Sequence, residues 1–172
     1  MKFTTTLFQL YDSDVWYAGL LVPRDLAEPF LTDGPNKHRV WLTLEGTERW
    51  QAALMPRGDG DYFINVNKSV RERLQLTNHQ EVTAELEKDT TTYGMPLPEE
   101  LAELFALDPE GRAVFHALTP GRMRSLLYRV SKPKGAETRV RHAVTILEYL
   151  KSTGGKLDFK ELNRAYSERW FT

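Results

Sequence analysis

A chain of 172 residues can build one ample core or two small ones, and 41% hydrophobic content with 4 Trp, 7 Tyr and 8 Phe marks a globular protein and excludes a disordered one. Basic side chains (23) nearly balance acidic ones (24), for a formal net charge of −1; the absence of cysteine excludes disulfides and thiolate chemistry and fits a reducing compartment, so a cytoplasmic location is expected. The opening "MKFTTTLFQLYDSD" lacks the apolar core of a signal peptide, and no run approaches the ~20 apolar residues of a membrane helix, so no membrane association is expected.

Up to about residue 88 the apolar residues recur with period two. Phe3, Thr5 and Leu7 alternate, as do Val40, Leu42 and Leu44, then Tyr62, Ile64 and Val66, then Val82, Ala84 and Leu86. Six strands are predicted, near 3–10, 15–22, 38–45, 48–55, 61–66 and 80–88. The turn signals "YDSD", "LEGTE" and "PRGDGD" separate some of them, the last two as hairpins. Two short helical inserts interrupt the strands, "PRDLAEPFL" and "NKSVRERL", the second with Asn67 placed to cap it. Six short antiparallel strands point to a closed or nearly closed barrel, which removes unpaired edges.

The switch from strand to helix is predicted between Lys88 and Pro98, where Pro96 and Pro98 punctuate the chain and the period becomes 3.6. Leu97, Leu101, Leu104 and Phe105 align on a first helix. Asp108-Pro109 and Thr119-Pro120 each read as a cap followed by proline, opening a second helix and a third that carries Met123, Leu126, Leu127 and Val130. Ala136, Val140, Ala143, Val144 and Leu147 form the stripe of a fourth helix that Gly154 ends. Asp158 and Glu161 match a capping box before Phe159, Leu162, Tyr166 and Trp170. The expected architecture is α+β: a six-stranded barrel at 1–90 and an all-helical region at 95–172. The connector "DTTTYGMPLP" is too short and too apolar for a free linker, so the two parts are expected to pack together.

Several of these segments occur together in a known bacterial family. Val22-Pro23, Trp50, "GDGDYFINVNKSVRERL" from Gly58, "MPLPEELAELF" from Met95, "FHALTPGRMRSLLYRV" from Phe115 and "ETRVRHAVTIL" from Glu137 resemble, in this order, the YdeI/OmpD-associated (bacteriocin-protection) proteins with an N-terminal small barrel domain of unknown function. The resemblance covers most of residues 3–151. It implies a double-split barrel, a class shared with swapped-hairpin transcription factors and antitoxins, and implies no demonstrated chemistry. The chain departs from the family pattern at "SKPKGAE", where a lysine is displaced, and in the tail from Lys156 to Thr172.

Catalytic and metal-binding signatures are sparse. His38, His79, His116 and His142 sit in different elements without ligand spacing, "RGDGD" reads as a turn, and no nucleophile elbow, phosphate loop or dinucleotide fingerprint occurs. No catalytic residue, metal or cofactor is therefore assigned. Charge is more informative. Residues 81–110 hold nine acids against Lys88, a net of −8, and residues 111–141 hold eight bases against Glu137, a net of +7. Such segments usually solvate themselves or pair with each other, and that reading comes first. The alternative is an anion site on the basic helices, with Arg129, Lys132, Lys134, Arg139 and Arg141 as candidates, on condition that Arg139 and its neighbours stay unpaired. These features point to a noncatalytic binding module with a basic helical surface and a small anion or an acidic protein as partner. An enzyme with a site assembled between barrel and helices is the alternative. Duplex DNA is not expected, because the bases within 37–57 are diluted by Glu45, Glu48, Asp59 and Asp61.

Overall fold

The computed structural model describes residues 1–12 and 14–168. The chain forms two compact units, Met1–Gly94 and Met95–Thr172.

The first unit is one antiparallel sheet of seven strands: β1 (Lys2–Gln9), β2 (Ala18–Val22), β3 (Arg39–Leu44), β4 (Glu48–Ala53), β5 (Met55–Pro56), β6 (Tyr62–Val66) and β7 (Glu81–Lys88), in the order β4-β3-β7-β1-β2-β6-β5. The alternation read from the sequence fixes its inner face. Val40, Leu42 and Leu44 are fully buried, as are Ile64 and Val66 and then Val82, Ala84 and Leu86, all within one cluster. At ~25 cal/mol per Å² of apolar surface removed from water, this single face dominates the unit's stability.

β1 serves two halves of the sheet. Residues Lys2 to Thr6 pair with β7, and Leu7 to Gln9 pair with β2. The strand count exceeds the expected six because the run 48–56 divides at Leu54. Up to Ala53 it pairs with β3 at one edge of the sheet, and from Met55 it pairs with β6 at the other. Two Cα steps, ~3.8 Å each, therefore span from one edge strand to the other, which curls the sheet into a half-barrel with adjoining rims. Leu54 itself is buried and donates its N–H to the His38 carbonyl at 2.8 Å. Pro56 stands in the outermost strand, where its missing N–H deprives no partner.

The turns follow their residues. Glu45 and Gly46 both have positive φ (52° and 68°), and Thr47 donates to the Leu44 carbonyl, a geometry that suits a tight hairpin. In "RGDGD" the Arg57 N–H meets the Asp61 carbonyl, so the segment is the β5–β6 hairpin turn. α1 (Arg24–Ala27) leads into a 3₁₀ turn (Glu28–Phe30), and α2 (Lys68–Arg73) is capped by Asn67, whose Oδ1 accepts from Val70 N at 3.0 Å.

The second unit holds α3 (Glu99–Leu107), α4 (Pro109–His116), α5 (Pro120–Ser131), α6 (Ala136–Ser152) and α7 (Phe159–Glu168). No strand follows Lys88 among the described residues, as the change of period requires. α6 is the hub, packed against α3, α4, α5 and α7. For that reason its buried set, Ala143, Thr145, Ile146, Leu147, Tyr149 and Leu150, is wider than one stripe, while Val140, expected on the stripe, is 43% exposed. Asp108 caps α4 through Gly111 N at 2.8 Å; Thr119 makes no side-chain cap for α5. Asp158 accepts from Lys160 N and Glu161 N. Glu161 does not close the box but accepts from the Tyr149 hydroxyl. Gly154 (φ 61°) and Gly155 (φ 82°) end α6, with Gly155 N bonded to the Leu150 carbonyl. Trp170, read as part of the last helix's face, lies outside the described residues.

Candidate functional site

A groove of about 610 Å³ lies in the helical unit, formed by α5, the turn after it, α6 and α7. α5 contributes Ser125, Tyr128 and Arg129, the turn Lys132 and Pro133, and α6 His142. α7 contributes Phe159, Asn163 and Tyr166, which share one helical face through their spacing of four and three. The groove lining combines aromatic rings with two cations, Arg129 and Lys132.

Arg129 is held from two sides. Its Nη1 donates to Asn163 Oδ1 at 2.8 Å, and its guanidinium carbon lies 4.7 Å from the centroid of the Phe159 ring. Its backbone carbonyl is 3.1 Å from His142 Nδ1, which fixes the imidazole, and the His142 ring stacks on Tyr166 with centroids 4.5 Å apart. The Tyr166 hydroxyl is buried and makes no well-formed hydrogen bond among the described residues, although the Arg129 guanidinium lies close enough to favour its oxygen. Burial pushes its pKa up to about 12, against the opposing pull of the nearby Arg129 guanidinium, so the phenol stays protonated.

The five candidate bases part company here. Arg129 and Lys132 line the groove, and neither has a carboxylate within ion-pair distance among the described residues. Arg139 instead pairs with Glu100, Nε to Oε1 at 2.6 Å, and its Nη1 donates to the carbonyls of Pro133 and Lys134. It thereby clamps the α5–α6 turn to α3, and the condition that it remain unpaired is not met. Arg141 pairs with Glu137 one turn before it on α6. Lys134 is exposed on the turn. Pairing between the acidic and basic segments thus occurs at Arg139, while two cations remain for the groove. The sequence places His142 in the basic cluster and Phe159 and Tyr166 on one face of the last helix, but it assigns neither these nor Asn163 to a site; the one-face spacing on α7 is the local signal for Phe159, Asn163 and Tyr166.

Other polar clusters have structural explanations. Asp89 is 2% exposed and accepts from Thr91 N, Thr91 Oγ1 and Gln51 Nε2. Burial works to raise its pKa, but these bonds and the Arg39 charge outweigh it and hold the carboxyl below its ordinary value. Asp108 is likewise held low, by Lys151 at 2.8 Å and by the Gly111 N–H. No group of three or more His, Asp or Glu side chains converges to hold a metal ion among the described residues, and no described helix is long and apolar enough to cross a membrane.

Residues 95–152 match the family described as Bacteriocin-protection, YdeI or OmpD-Associated, and residues 3–86 match a Domain of unknown function (DUF1905). The chain thus joins a YdeI/OmpD-associated segment to a domain of unknown function at its N-terminal side. No curated protein matches it. The YdeI/OmpD-associated segment supplies α3 to α6 and so the Arg129, Lys132 and His142 side of the groove. Phe159, Asn163 and Tyr166 lie beyond the matched residues, so the α7 wall belongs to the part of this chain outside the family segment.

Proposed function

We propose that this chain is a noncatalytic, cytoplasmic binding module whose helical unit takes a small anion, with a flat apolar carboxylate as the best fit. The observation that carries this reading is the pair Arg129 and Lys132, two cations without carboxylate partners among the described residues, which line a groove together with Tyr128, Phe159 and Tyr166. A carboxylate meets the cations while its ring lies against the aromatic faces. Catalysis has less support, because burial keeps the Tyr166 phenol protonated.

Calorimetry with 2-naphthoate and its neutral counterpart 2-naphthamide tests the reading. Naphthoate is expected to bind, the amide to bind about tenfold more weakly or not at all, and Arg129→Ala with Lys132→Ala to reduce naphthoate binding by a similar factor. Equal binding of acid and amide, or binding unchanged in the double variant, refutes it.

A further inference from the structure

The first unit has a concavity of its own, about 500 Å³, between the β1–β2 connection and α2. Val15, Trp16 and Leu76 give it apolar walls, and Arg71 lies among them. The surroundings are unusually apolar for a surface: Tyr11, Val15 and Tyr17, all in or beside the same connection, are 63%, 58% and 49% exposed.

Arg71 is only partly satisfied. Its Nη1 donates to the Trp16 carbonyl at 2.5 Å, and its guanidinium carbon lies 4.4 Å from the centroid of the Trp16 ring. Its Nε is buried without an acceptor, and so is the indole Nε1 of Trp16. No carboxylate lies within ion-pair distance of Arg71 among the described residues. Glu72 is its chain neighbour on α2, and adjacent helical residues do not face each other; Glu72 pairs instead with Lys68 at 3.6 Å. Among the described residues these two N–H donors are therefore unmatched, and the Arg71 charge meets only the Trp16 ring and carbonyl; unmatched buried donors are costly enough to be rare. Every missing partner is an acceptor, and the charge asks for an anionic one.

Geometry narrows the choice. Nη1 is taken by the Trp16 carbonyl, which leaves the guanidinium edge formed by Nε and Nη2, a two-donor fork that matches the two oxygens of a carboxylate. We infer that this groove is a second binding site, taking a ligand that ends in a carboxylate on an apolar body: the carboxylate sits on the free edge of Arg71 and the Trp16 indole N–H, and the body lies against Val15 and Leu76. The site is independent of the groove in the helical unit and stands or falls separately from it.

The ligand can come as a free aliphatic acid or as the C-terminus of a peptide, and two probes separate these sources. Hexanoate and acetyl-Leu-Leu with a free C-terminus are each titrated into the full chain beside their amides, with the ¹H–¹⁵N signals of the Trp16 indole and the Arg71 Nε–H as readout. At least one acid is expected to move both signals saturably while the indole signals of Trp41 and Trp50 stay in place. A response to hexanoate alone assigns the free acid, and a response to the peptide assigns the C-terminus. Arg71→Gln is expected to weaken binding about tenfold or more. Trp16→Phe keeps an aromatic face beside Arg71 but removes the indole donor, so it provides the same test through the Arg71 signal if the Arg71 variant fails to fold. Silent signals with both acids, equal response to acids and amides, or unchanged affinity in both variants overturns the inference.

Discussion

Arg139 on α6 reaches Glu100 on α3 at 2.6 Å, with 26% and 14% of the two side chains exposed, and the same guanidinium bonds the carbonyls of Pro133 and Lys134. One side chain thus ties together two helices and the turn that shapes the groove. Arg139→Ala is expected to destabilise the protein by about 1–2 kcal/mol, more than an exposed ion pair is worth, because two carbonyls lose their donor as well. Urea denaturation checks this; a change indistinguishable from zero contradicts the clamp.

The same pair sets a pH dependence. A hydrogen bond from its own backbone N–H, then the Arg139 guanidinium, hold the Glu100 carboxyl below its ordinary value of 4.5. A carboxyl depressed in the folded state contributes stability that is complete above 4.5 and is lost as pH falls through the lower, folded value. Asp108, depressed by Lys151 and then by the Gly111 N–H, adds a contribution of the same sign that is complete above 3.8 and lost as pH falls further. Stability is expected to decline with acid below pH 4.5, and Arg139→Ala to flatten the upper part of that decline. A parallel decline in wild type and variant contradicts the assignment.

Gly111 sits inside α4, where alanine ordinarily gains ~1 kcal/mol in helix propensity. Here a Cβ would stand 2.5 Å from Asp108 Oδ2 and 3.2 Å from Leu147 Cβ. The capping carboxylate must move, losing its bond to Gly111 N, and Leu147 has little room to yield. Cap loss of ~1 kcal/mol and overpacking of ~1–3 kcal/mol outweigh the propensity gain. Gly111→Ala is therefore expected to lower the thermal midpoint; a higher one contradicts this packing.

Tyr166→Phe carries the opposite sign. Its buried hydroxyl makes no well-formed hydrogen bond among the described residues, and only the nearby Arg129 guanidinium favours its oxygen, so removing it abolishes a desolvation cost and sacrifices little. The variant is expected to be as stable as the parent or up to about 1 kcal/mol more stable. A clear loss on thermal unfolding means that the hydroxyl has a partner.

How much the sequence reveals depends on how local the cause is. The alternation of Val40, Leu42 and Leu44 is written within six residues, and the burial of all three follows from the pleat alone. Asn67 caps α2 by an equally local rule. The break at Leu54 leaves no such mark, because the run 48–56 keeps its period while its pairing partner changes from β3 to β6. The basic cluster divides for a similar reason: Arg139 and Arg141 look alike in sequence, but one meets an acid 39 residues away and the other an acid one turn away. That Arg129 meets Phe159 and Asn163 depends on how α5 and α7 flank α6, which no single helix encodes.

The central claim, that the groove of the helical unit holds a flat carboxylate between Arg129, Lys132 and the aromatic walls, is tested most directly by intermolecular nuclear Overhauser effects in the full chain saturated with 2-naphthoate. Contacts are expected from the naphthalene protons to the ring protons of Tyr128 and Phe159, with the Arg129 Nε–H signal shifted. Contacts from bound naphthoate to other residues, with none to these two rings, contradict it.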